Sequence, residues 1–161
     1  MKIFTIGDPV LEQKAAVIPE IDEKIKKLAH DMVDTMRKGN GIGLAAPQIG
    51  LLSRMFVCQV QGDIPRVFIN PEIINTSQEI VSYEEGCLSI PGVYADVKRP
   101  ARIKIQAWNE DGKPFTLEAD GILSRVIQHE YDHLNGKLFI SYLDEKKKQR
   151  LLKNYEKKKR A

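Results

Sequence analysis

The densest apolar patterning in the chain falls between Asp120 and Gly136, in the stretch DGILSRVIQHEYDHLNG. Ile122, Val126, His129 and His133 follow one another at i, i+4, i+7 and i+11, so they share one helical face. Leu123, Ile127 and Leu134 make a second apolar row. A helix apolar over so much of its circumference is expected to be central and buried. Asp120 is the expected N-cap, and Gly136 the left-handed residue that closes the helix.

The remaining pattern is amphipathic or alternating. Glu20 to Lys38 carries Ile21, Ile25, Leu28, Met32, Val33 and Met36 at helical spacing, and Gly39-Asn40-Gly41 ends it. Residues 7 to 19 contain Gly-Asp-Pro and a later proline, and are expected to be irregular. Arg54 to Val60 and Arg66 to Ile69 are β-rich runs around a Gly62-Asp63 turn, and Asn70-Pro71 predicts a loop or an edge. Glu72 to Ser82 and Val93 to Val97 are further strands. Ala101 to Asn109 puts Ile103, Ile105 and Ala107 on one face and Arg102, Lys104 and Gln106 on the other. Asp111-Gly112 then turns the chain back into Phe115 to Ala119. After an apolar Leu138 to Leu143, residues 144 to 160 predict a basic helix with a narrow seam of Leu143, Leu151, Leu152 and Tyr155. The fold class is α+β: short antiparallel sheets around a central buried helix, with an amphipathic helix near the N-terminus and a basic one at the C-terminus. Neither a repeat nor a linker divides residues 1–161, so one domain is expected.

Composition narrows the setting. A chain of 161 residues can bury a sizeable single core. No apolar run approaches a membrane span, and MKIFTIGDPVLEQKA lacks the long apolar segment of a signal peptide. Two cysteines, Cys58 and Cys87, make no disulfide framework, so a reducing cytoplasm is expected. The net charge of +3 is unevenly placed. From Glu145 onward there are nine basic residues and two acidic ones, a net +7, which leaves −4 on the body. Such a tail is either a solvated helix or a docking segment for a phosphate-rich surface.

Three stretches carry candidate chemistry. His129-Glu130-x-x-His133 is an HExxH on a helix, where two imidazoles can hold one metal ion while the glutamate reaches a water beside it. The alternative is a pair of core histidines satisfied by carbonyls. His30 has no ligand-like residue at helical spacing, and is expected to be a surface or packing histidine. EGCLS, residues 85 to 89, offers the Cys87 thiol as a metal ligand, a nucleophile or a packed group. Cys58 sits among Phe56, Val57 and Val60, as a core residue would. GIGLAAPQ, residues 41 to 48, is small enough to bring backbone close to a ligand, and its composition alone equally describes a plain helix-to-strand turn. It is not a phosphate loop, because no Gly-Lys-Ser/Thr follows.

GIGLAAPQ, EGCLS and QHEYDHLNG, in that order, resemble the three signature motifs of the peptide deformylases, of the bacterial type. The resemblance implies hydrolysis of the N-formyl group from the initiator methionine of nascent chains. It implies Cys87, His129 and His133 as ligands of one divalent ion, usually Fe2+, with Zn2+, Ni2+ or Co2+ as alternatives, and water as the fourth ligand. Glu130 would move the proton, and the Gln48 side chain and the Leu88 N–H would bind the oxyanion. An extended substrate would pair with backbone near Ile42 and Gly43. Tyr83, Ile122 and Val126 join Ile42 as expected walls of a methionine pocket, and Glu85 and Gly86 complete the substrate-binding set. The family also implies ribosome docking through a C-terminal helix in some members. Neither a membrane nor a specific DNA partner is expected.

One departure concerns the segment after EGCLS. Some members carry a peptide-holding arginine there, whereas this chain has Ile90-Pro91-Gly92-Val93-Tyr94. Two other functions are weighed against deformylation, besides a catalytically altered relative. An HExxH metallopeptidase of the metzincin type needs a third histidine where Phe139 stands. A thermolysin-like one needs a downstream glutamate, and only Glu145 and Glu156 follow, both among lysines. A metal-stapled RNA-binding module would need neither Glu130 nor Gln48.

Overall fold

The computed structural model of the protein describes residues 1–160. Its three α-helices are α1 (Glu23–Lys38), α2 (Gly121–Leu134) and α3 (Glu145–Arg160). The strands are β1 (Gly43–Ala45), β2 (Met55–Cys58), β3 (Arg66–Thr76), β4 (Ile80–Cys87), β5 (Ile90–Pro100), β6 (Ile103–Trp108) and β7 (Pro114–Ala119). Five of them form an antiparallel sheet in the order β1-β2-β3-β6-β7, while β4 and β5 pair separately as a long hairpin.

Both faces of the large sheet are covered at β2. Met55 and Val57 of β2 pack with Met32, Val33 and Met36 of α1. Their neighbours Phe56 and Cys58 point the other way, into a cluster with Val126, Ile127 and Leu134 of α2. That explains why β2 is an unbroken apolar run: a strand with helices on both sides has no solvent face. Cys58 is fully buried, and burial pushes its thiol up to about 12, so it is a packing residue. A third cluster joins Ile90, Val93, Ala95 and Val97 of β5 to Phe139, Ile140 and Tyr155, with Leu143, Leu151 and Leu152 packed against it. The predicted seam of α3 therefore exists and belongs to the core.

The α+β architecture stands as expected, and several boundaries move. α1 begins at Glu23, because the Asp22 carboxylate caps it by accepting the Ile25 N–H at 3.1 Å. The expected break at Asn70-Pro71 is absent. Asn70 takes φ 49, its side chain bonds both the N–H and the carbonyl of Ile18 at 2.8 Å, and β3 continues through this irregularity to Thr76. Glu72 to Ser82 is not one strand, since the Ser77 hydroxyl accepts the Arg102 N–H at 3.0 Å and helps turn the chain before β4. Asp120 has the extended backbone of an N-cap, but its side chain makes no capping bond. Gly136 closes α2 as expected, at φ 74, with the Glu12 backbone 2.7 Å from where a Cβ would stand. Among the described residues, no helix is long and apolar enough to cross a membrane.

Candidate metal centre and cleft

The site forms where the end of the β4–β5 hairpin meets α2. Cys87 is the last residue of β4, and His129 and His133 lie one turn apart on the buried face of α2. The three ligand atoms lie within 4.8 Å of one another. Cys87 Sγ and His133 Nε2 are 3.4 Å apart. Zinc-like bond lengths to sulfur and nitrogen give a tetrahedron edge of about 3.5 Å between them. One thiolate and two imidazoles at that spacing fit a divalent ion and leave a position open, as catalytic sites do.

A second layer fixes the first. Glu85 Oε1 lies 2.9 Å from His129 Nδ1, which leaves Nε2 for the ion. Burial works against ionisation of Glu85, but hydrogen bonds from His129 and Arg99 outweigh it and hold the carboxyl at about 2. Gln48 is almost fully buried. Its Oε1 accepts the Ala45 N–H at 2.9 Å, which orients the amide so that Nε2 lies 3.1 Å from Ser89 Oγ and 3.5 Å from Cys87 Sγ.

Glu130 is the chemically tuned group. It is buried beside His129, and burial pushes its carboxyl up to about 7. Its Oε2 is 4.0 Å from His129 Nε2, while its Oε1 has no hydrogen-bond partner in the protein. A carboxylate of that strength, with one oxygen free, can take a proton and return it near neutral pH. The cleft in front of it has a volume of about 570 Å³. Ile42, Gly43, Gln48, Tyr83, Gly86, Leu88, Ile122, Val126, His129 and Glu130 all line it.

Comparison with known proteins decides the family. The polypeptide deformylase family model matches residues 1–149. This chain belongs to that family. It is 48% identical over 163 aligned residues to the peptide deformylase of Agrobacterium fabrum, covering 99% of this chain and 96% of that one. The crystal structure of the peptide deformylase from Ehrlichia chaffeensis superposes with a TM-score of 0.94 at 36% identity, over 99% of this chain and 97% of that one. A peptide deformylase from Synechococcus elongatus, solved with actinonin, gives 0.92 at 40% identity, over 96% and 86%.

Within this deformylase, the residues singled out from sequence converge on one place, apart from Cys58, packed in the core, and His30, exposed on α1, both as expected. Phe139 stacks near His129 at 5.9 Å between ring centroids and is buried in the third cluster, so the metzincin alternative has no third ligand there. Glu85 lines the cleft, as a substrate contact would, and its carboxylate also supports His129. Both its oxygens are occupied, by Arg99, Arg125 and His129. Sequence reasoning missed Ser89, Arg99, Arg125 and Asp132, all tied to the site by hydrogen bonds. The one visible signal was Arg125, a charge set among the apolar residues of α2. Tyr94, at the place of the missing arginine, lies over Gly86, where a Cβ would stand 2.6 Å from its ring.

Proposed function

We propose that Cys87, His129 and His133 hold one divalent ion, Fe2+ in the cell, and that Glu130, Gln48 and Leu88 carry the chemistry around it. The reaction is the hydrolysis of the N-formyl group from the formyl-methionine that begins nascent polypeptides. The approach of Cys87 to the two histidines, with a Glu130 carboxyl oxygen 4.0 Å from His129 Nε2, is the observation that carries this reading.

When bound, the ion supplies a Lewis acid that polarises water and the formyl carbonyl. Glu130 takes a proton from the attacking water as oxygen adds to the formyl carbon. The Gln48 amide, its orientation fixed by Ala45, and the Leu88 N–H donate to the oxyanion that develops. Glu130 then delivers its proton to the leaving nitrogen, the C–N bond breaks, and formate and a free amine result. The backbone of Ile42 and Gly43 pairs with the extended substrate, and Ile42, Tyr83, Ile122 and Val126 wall the methionine side chain. Gly86 contributes backbone to the cleft wall that meets the substrate, and its bare Cα leaves room for the Tyr94 ring packed against it.

The enzyme works in the cytoplasm, where its substrate emerges from the ribosome. The exposed cations of α3 face that RNA-rich surface, and counterion release supplies much of the affinity. Anaerobic purification, metal analysis, and assay of formate release from formyl-Met peptides against cleavage of unblocked peptides test the reading. One equivalent of iron and formate release alone are expected. Cleavage of unblocked peptides would make the chain a metallopeptidase.

A further inference from the structure

The ligands come from two bodies that share no paired strand. Cys87 rides on the β4–β5 hairpin, and His129 and His133 ride on α2, which packs against the other sheet. Their separation is therefore set by whatever joins hairpin to helix. The structure shows two arginines reaching in opposite directions across that joint. Arg99, on β5, grips Glu85 through Nε at 2.6 Å and Nη2 at 3.0 Å, and extends Nη1 to Asp132 of α2 at 2.8 Å. Arg125, on α2 one turn before His129, reaches back. Its Nη1 donates to Glu85 Oε2 at 2.8 Å and to the Val97 carbonyl at 2.7 Å, and its Nη2 donates to the Val81 carbonyl at 2.7 Å. Arg125 is 8% exposed and Arg99 3%, so neither is a solvated surface pair.

We infer that Arg125 is a positioning residue, a strap from α2 to both strands of the hairpin that holds Cys87 at ligand distance from the histidines. The guanidinium suits this because its rigid fork can serve three acceptors at once, whereas an ammonium is a single point. Two cations and two anions, Arg99, Arg125, Glu85 and Asp132, balance within the joint, as buried charges must. The same Glu85 that Arg125 grips also orients His129, so the strap acts on both sides of the ion.

This inference rests on the assignment of Cys87, His129 and His133 as ligands, and the cobalt(II)-loaded enzyme separates the two. Failure of the unmutated protein to bind cobalt with a thiolate-to-cobalt absorption band would overturn the ligand assignment itself. Given that band, Arg125→Met should release cobalt to excess chelator about 10–100-fold faster, the usual worth of a group supporting a metal ligand, and its band should weaken. Arg125→Lys keeps a cation for Glu85 but cannot span all three acceptors, so its rate should fall between. Formate release should drop in kcat more than KM rises. A folded Arg125→Met protein with an unchanged rate of cobalt loss and an unchanged band overturns the strap, even if its metal-free form melts earlier. Where Arg125→Met does not fold, the unmutated rate in Arg125→Lys overturns it equally.

Discussion

Gly43 and Glu130 touch so closely that no side chain fits between them. A Cβ built on Gly43 would stand 2.9 Å from the Glu130 carboxyl carbon and the same distance from its Cγ. The glycine of β1 thus sets where the Glu130 carboxylate, the proposed acid–base group, can lie. Gly43→Ala should displace Glu130 and lower kcat by roughly 10²-fold or more, the range of a misplaced acid–base group, with the metal retained. Metal analysis alongside steady-state kinetics checks this. Unchanged turnover would mean that β1 yields instead.

Removing a ligand and removing the base should look different. Cys87→Ala and His133→Ala are expected to lose metal and activity together. Glu130→Gln should keep its metal and lose roughly 10²–10⁴ in rate. Metal loss in Glu130→Gln would make that residue a ligand.

Gln48→Ala removes the hydrogen bonds that the amide makes with Ala45, Cys87 and Ser89. If the amide serves the oxyanion, kcat falls by about 10²–10³ and KM changes little, because the bond is strongest in the transition state. A change confined to KM would assign Gln48 to ground-state binding.

The tail needs variants that respect its packing. Tyr155 is 7% exposed within the third cluster, so removing α3 would strip apolar cover from β5, the partner strand in the hairpin that carries Cys87. Tyr155→Ala should cost about 3–5 kcal/mol in urea unfolding, as large aromatic truncations do. Lys146, Arg150, Lys153 and Lys157 are exposed, and changing all four to Gln leaves the seam intact. That variant should hydrolyse a free formyl-Met tripeptide normally. Its ribosome binding should weaken, and log affinity should fall less steeply with log salt, by about one in slope for each phosphate no longer neutralised. Equal binding at every salt concentration would reduce α3 to a solvated helix.

The sequence by itself determined the elements whose signal is local. Helical spacing put His129 and His133 on one face of α2, alternation set the two faces of β6, and a cluster of lysines marked α3. Each of these depends on residues a few positions apart, where backbone periodicity is the whole cause. Only the tertiary structure decided what depends on distant partners. β3 runs past Asn70 because Ile18, 52 residues away, satisfies its side chain. Glu85 became a support of His129 because Arg99 and Arg125 converge on it from a strand and a helix. A buried charge is stable only where partners compensate it, and nothing in the order of residues along a chain states which distant groups will meet.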